Sequence, residues 1–171
     1  MKEFVSLSID DLLVNPVNIM ANDWMLITAG NKDSFNTMTA SWGSIGHLWN
    51  KPVAFIFVRS QRYTFEFIER NELFSLSFFE GSYRQALNIC GTKSGRNTDK
   101  VKEAGLTSIF SPQGTPSFNE ANLVFECRKL YSQQLAEENF VDSSVLSNFY
   151  PQKDMHKLYI GEIVNAWTKI R

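Results

Sequence analysis

Polar and apolar positions alternate over Phe35 to Gly46, FNTMTASWGSIG, with Thr37, Thr39, Ser41 and Gly43 on one parity and Met38, Ala40 and Trp42 on the other. Successive side chains of a strand point to opposite faces, so this stretch predicts a strand with Met38, Ala40 and Trp42 on the core side. Its other side is a row of small hydroxyls that leaves the backbone approachable to a flat ligand. Before it, DWMLITAG (Asp23 to Gly30) reads as a strand after a lead-in broken at Pro16, and NKDSF as the turn of a hairpin. The run VAFIFVR (Val53 to Arg59) is apolar on both parities, which predicts a strand covered twice, by a barrel interior and by a helix or second subunit.

TFEFIERNE predicts a helix with Thr64 as its cap, Glu66 in the first turn and Arg70 in the last, each charge at the favourable end of the helix dipole. LFSLSFF (Leu73 to Phe79) is the next strand, and Ser82 with Gln85 has the spacing of a capping box for a helix reaching about Cys90. GTKSGRNT is a polar loop before a short helix, DKVKEAG, stopped at Gly105. FNEANLVFECRKLYSQQL predicts a long strand with Leu123, Phe125, Cys127 and Tyr131 on one parity, and HKLYIGEIVNAWTK a last one. Strands joined by short turns, with helices between only some of them, predict an antiparallel barrel with peripheral helices in a single domain over 1–171.

Composition narrows the partners. The chain has 171 residues with 17 Lys plus Arg against 18 Asp plus Glu, so a net charge of −1 predicts neither nucleic-acid nor membrane binding. Glu3, Asp10 and Asp11 interrupt the N-terminus where an export signal would be apolar, and no apolar run reaches the length of a membrane span. A cytoplasmic protein is expected. Cys90 and Cys127 lack ligand spacing and read as a reduced pair, with one disulfide as the alternative.

Several chemistries are missing from the sequence. It has no G-x-G-x-x-G, CGTKSG lacks the glycine a P-loop needs before its lysine, and neither H-E-x-x-H nor G-x-S-x-G occurs. No metal site is expected. RSQRYT (Arg59 to Thr64) instead joins two guanidinium groups, three hydroxyls and a helix start, a set suited to a phosphate monoester, although a capped helix with two solvated arginines fits it as well. KSGRNTDK adds Lys93, Arg96 and Lys100, which form a phosphate site only if that loop meets the first turn.

Taken together and in order from about Asp23 to Trp167, NTMTASWG, RSQRYTFEF, CGTKSGRNTDK and HKLYIGEIVNAW resemble the flavin reductase-like family, particularly its flavoredoxin-like branch. The resemblance implies a mainly β (α+β) fold, an antiparallel split β-barrel with peripheral helices that binds FMN and forms a homodimer with flavin near the subunit interface. By position, Asn36, Thr39, Ala40, Ser41 and Trp42 would lie along the isoalloxazine. Arg59, Ser60, Arg62, Tyr63 and Thr64 would hold the ribityl phosphate with Ser94 and Lys100, and Trp167 would touch the ring or its partner-subunit edge. Many relatives show Gly-Asp-His before the last strand where this chain has Asp154, Met155 and His156, which leaves His156 near the flavin or nicotinamide with no acid or base catalyst assigned. The implied activity is hydride transfer from NADH or NADPH to flavin N5 and on to an acceptor. The alternatives are an FMN electron carrier without its own nicotinamide turnover and a non-catalytic barrel that binds another ligand.

Overall fold

The computed structural model describes residues 3–170. Strands β1 (Phe4–Ser6), β2 (Met25–Gly30), β3 (Phe35–Ala40), β4 (Gly43–Leu48), β5 (Lys51–Arg59), β6 (Leu73–Phe78), β9 (Leu123–Gln134) and β10 (His156–Lys169) form one antiparallel sheet. Its order is β3-β2-β6-β9-β10-β5-β4, with β1 added along the far end of β10, while β7 (Ser108–Phe110) and β8 (Pro116–Phe118) make a separate hairpin. The helices are α1 (Pro16–Asn18), α2 (Tyr63–Arg70), α3 (Arg84–Thr92), α4 (Lys100–Glu103) and α5 (Ser143–Phe149). Among the described residues no helix is long and apolar enough to cross a membrane.

The sheet cannot be flat. Strands β3 and β4 are its opposite edges, about 29 Å apart across six strand spacings, yet three Cα steps joining Ala40 to Gly43 reach at most about 11 Å. The sheet therefore curls until its edges meet at Ser41 and Trp42, giving a split barrel. This corrects the single strand expected from Phe35 to Gly46: the alternating stretch is two strands and the corner between them. Gly43 permits the corner because a Cβ there would lie 2.6 Å from the Phe55 carbonyl oxygen.

Two cores result. Ile27, Met38, Ala54, Ile56, Val58, Phe74, Phe125 and Tyr159 fill the barrel, whereas Leu26, Ala86, Leu87, Cys90, Phe118 and Val124 pack between sheet, α3 and the hairpin. Strand β2 serves both, which explains its unbroken burial from Met25 to Ala29, Thr28 included. Strand β5 faces inward with Ala54, Ile56 and Val58, but Phe55 and Phe57 on its other side are only half buried. Cys90 and Cys127 are free thiols in different cores, so the disulfide alternative falls.

Burial overturns several local expectations. The hydroxyl row is not open: Thr37 is buried with its Oγ1 2.8 Å from that of Thr28, and the Thr39 hydroxyl donates to the Leu87 carbonyl of α3. Trp42, expected on the core side, is 42% exposed at the corner. Pro16 starts a turn of helix capped by Asn15, and β2 opens at Met25. Arg62 precedes α2 without a side-chain cap, while Thr64 is its second residue; Ser82 lies in a separate 3-10 turn ahead of α3, which runs on to Thr92. The long strand expected from Phe118 is β8, a turn and β9, and β9 is buried on both faces to Cys127 before it emerges with Tyr131 exposed.

Candidate functional site

Helix α2 starts where β5 leaves the sheet. Arg62 caps nothing with its side chain, so the first N–H groups of α2 are left for an outside acceptor. Facing them is the loop between α3 and α4. Arg62, Tyr63, Thr64, Lys93, Ser94 and Lys100 line one cavity of about 230 Å³. The two basic turns, 38 residues apart from Arg62 to Lys100, thus meet.

Three contacts fix the loop. Arg96 pairs with Glu66 of α2, donates to the Gln61 carbonyl at 3.3 Å and lies 4.7 Å from the centre of the Tyr63 ring. It is therefore a staple for the loop and not a free cation. Asn36 Nδ2 donates to Thr64 Oγ1 at 2.7 Å, while its Oδ1 lies against Gly95, where a Cβ would approach to 2.0 Å. Asp99 caps α4 by accepting from the Lys102 N–H, which turns Lys100 inward.

Lys100 is 4% exposed, and its ammonium donates to two carbonyls, Cys90 at 3.2 Å and Lys93 at 3.3 Å. Burial pushes its pKa down to about 8; nearby Cys90 opposes the fall and Arg62 adds to it. Burial and the like charge of Arg59 also lower Arg62. Among the described residues neither Arg62 nor Lys100 is paired with a carboxylate. Two desolvated cations with spare donors on one cavity are unfavourable alone and complementary to a doubly charged oxyanion.

The remaining residues divide into two places. Ala40, Ser41 and Trp42 form the barrel corner, where Trp42 packs edge-on to Phe149 (5.3 Å between centroids) and against His156 (5.1 Å). Tyr150 Oη lies 2.9 Å from His156 Nδ1. Burial and the Arg59 charge, against a weaker pull from Asp154, push the His156 pKa down to about 4. The imidazole is thus neutral at physiological pH. An NMR titration of His156 is expected to be flat from pH 5.5 to 8 with its midpoint near 4; a midpoint near 6.5 would contradict the burial argument.

Arg59 and Trp167 lie apart from the cavity. Arg59 pairs with Asp154 and donates to the Phe149 carbonyl at 2.9 Å, so its guanidinium anchors the end of α5 beside the corner. Ser60 is an exposed turn residue. Trp167 is near the other end of β10 from His156, in the second core beside Phe4 and Leu26. Sequence reasoning missed Phe149 and Tyr150, which no motif marks. Lys93 was visible only as part of a basic loop.

A curled antiparallel sheet, split at one corner and with a cavity between a helix start and a basic loop, defines a split β-barrel. The chain belongs to the flavin reductase like domain family, whose model matches residues 17–170. Among solved structures it is similar to an FMN-binding domain of a flavin reductase-like enzyme from Shewanella baltica, with TM-score 0.71 and 15% identity over 97% of this chain and 77% of that one. Flavoredoxin of Desulfovibrio vulgaris follows at TM-score 0.67 and 21% identity (96% and 77% covered). An NADH:FAD oxidoreductase from Streptomyces globisporus gives TM-score 0.64 and 17% identity (86% and 74% covered). No curated protein matches by sequence.

Proposed function

We propose that the protein is an FMN-binding NAD(P)H-dependent flavin oxidoreductase, with the flavin phosphate in the Arg62–Lys100 cavity. The observation that carries this reading is a buried Lys100 and a half-buried Arg62 on one cavity, neither with a carboxylate partner among the described residues. A cavity of about 230 Å³ is too small for a whole flavin, since ligand clefts run from about 300 to 1,000 Å³, and suits the phosphate end. Arg62 and Lys100 supply charge, Ser94 a hydroxyl and the start of α2 its free N–H groups, while the buried Thr64 hydroxyl is held by Asn36. Family membership adds the redox class. The bound flavin supplies the electron chemistry, and the protein supplies orientation, access and the surrounding field.

The corner of Ala40, Ser41 and Trp42 is the surface for the ring, four strand residues from Asn36. Backbone N–H groups beyond the end of β3 have no sheet partner there and are the fixed donors for the ring's carbonyl edge. The neutral His156, held by Tyr150, closes the corner without adding a second positive charge.

Phe55 and Phe57 share a sheet face with Leu158 and Tyr131, and the half-exposed Trp49 packs beside Tyr131. We assign this face to a second copy of the chain, which completes the double covering that β5 asks for. Purified protein is expected to run as a dimer, to be yellow or turn so on adding FMN, and to oxidise NADH or NADPH anaerobically with loss of flavin absorbance. Protein that ignores FMN would refute the assignment. Flavin binding without nicotinamide turnover would leave an electron carrier.

A further inference from the structure

A cavity of about 540 Å³ shares no residue with the phosphate cavity or with the Ala40 to Trp42 corner. Strand β10 starts at His156 beside the corner and ends at Lys169 in the wall of this cavity. Ile19, Phe78, Phe79 and Leu123 are all buried and give it an apolar floor. The chain from Leu7 to Val14 makes another wall, to which it adds the partly buried Leu12 and Val14; the Leu7 N–H pins its start to the Ala166 carbonyl at 2.9 Å. The volume falls within the range of clefts that enclose small molecules, about 300 to 1,000 Å³.

Its rim carries one sign of charge. Asp11, Asp23 and Glu80 line it from three separate turns, are exposed, and among the described residues none is paired with a cation. The lysine of the wall does not neutralise them, because Lys169 is taken up by Glu3 at 3.2 Å and by the Asn119 carbonyl at 2.9 Å. Asn122, in the same wall, brings an acceptor with nothing to accept. Its N–H donates to the Phe78 carbonyl at 2.9 Å, and its own carbonyl accepts from the Lys169 N–H at 3.0 Å and the Thr168 hydroxyl at 3.2 Å. Its Oδ1 is buried and has no partner among the described residues. A buried acceptor without a donor is unfavourable and uncommon in folded proteins, and a donor on a ligand would relieve it.

The geometry points to a binding site for a small organic cation, an ammonium group on an apolar chain or ring, with the apolar part on the floor and the ammonium among the three carboxylates and Asn122. The rim repels an anion of the same shape. A bare metal ion gains nothing from the apolar floor, and among the described residues the carboxylates do not converge as metal ligands do. The site is independent of the flavin assignment, since it uses none of the same residues.

The test uses three probes of one length and different charge. Octylammonium, octanol and octanoate are titrated by calorimetry into the full-length protein, with and without added FMN, and into an Asp23→Asn, Glu80→Gln variant. Octylammonium is expected to bind saturably at one site, about tenfold or more tighter than octanoate, with octanol between them. Added FMN should change this affinity less than about twofold. The double neutralisation, made at two exposed positions that the fold does not depend on, should weaken octylammonium about tenfold and leave octanol within about twofold. Raising the salt concentration should weaken only the cation. Methyl resonances of Ile19 and Leu123 are expected to shift on adding octylammonium and to report the same affinity as the calorimetry. No saturable binding, octanoate or octanol binding as tightly as the cation, an unchanged affinity in the double variant, or methyl resonances that stay in place would each overturn the site.

Discussion

Replacing Lys100 by methionine is expected to weaken FMN binding about tenfold to a hundredfold, the loss of one charge-assisted contact of about 1.5–3 kcal/mol, and Arg62→Ala to do the same. Flavin fluorescence quenching measures both. The first substitution separates a binding cation from a structural one. In the fold Lys100 titrates at about 8, below the ordinary lysine value of about 10.4, so its charged form is disfavoured relative to the unfolded chain. That penalty is fully present below pH 8 and fades as pH rises towards 10.4. Lys100→Met is therefore expected to raise the thermal midpoint of the flavin-free protein at pH 7 while lowering its flavin affinity. A drop in both would show that Lys100 holds the loop and not the ligand.

The same pKa sets a pH window. FMN affinity in the unmodified protein is expected to fall as pH rises through 8, where Lys100 loses its proton, and to fall below about pH 6, where the phosphate gains one. In Lys100→Met the upper limb should vanish and the lower one remain.

Gly95→Ala is expected to weaken FMN binding about tenfold through a clash at a distance from the charge. The added Cβ would stand 2.0 Å from Asn36 Oδ1 and 3.3 Å from Tyr63 Cδ1. Asn36 has little room to give, because it is 5% exposed and its amide is committed to Thr64. Relief requires the loop to move outward, taking Ser94 and Lys100 from the α2 N-terminus; overpacking of this kind costs about 1–3 kcal/mol. In an Asn36→Ala background the same glycine substitution should add little. A full additional loss there would place the effect in backbone freedom and not in the clash.

Local sequence was enough for the elements whose signal is local. Strands β2, β5 and β6 follow from short apolar runs between turn residues, and α2 has Glu66 and Arg70 at its charged ends. Gly105 at φ +67 stops the turn after α4 as expected. Helix α5 was illegible because it is only seven residues long, so that Val145, Leu146 and Phe149 mark barely one turn of helical spacing, and none of its residues is buried. The alternation of Phe35 to Gly46 was misread for a related reason. Period two persists across a corner, since each flanking strand alternates, and nothing local reveals that β3 pairs with β2 while β4 pairs with β5.

Arg59 and Arg62 make the same point about charge. They are three residues apart and equivalent in the sequence, yet Asp154 and the Phe149 carbonyl, contributed by a segment some ninety residues away, take up the first and leave the second. By itself the sequence determined the class: an antiparallel barrel chain with two basic turns and the ordered motifs of a flavin reductase-like domain. Tertiary structure alone decided which cations stay unpaired and share a cavity, because Coulomb attraction and desolvation depend on distance in space and on burial, and neither is carried by spacing along the chain.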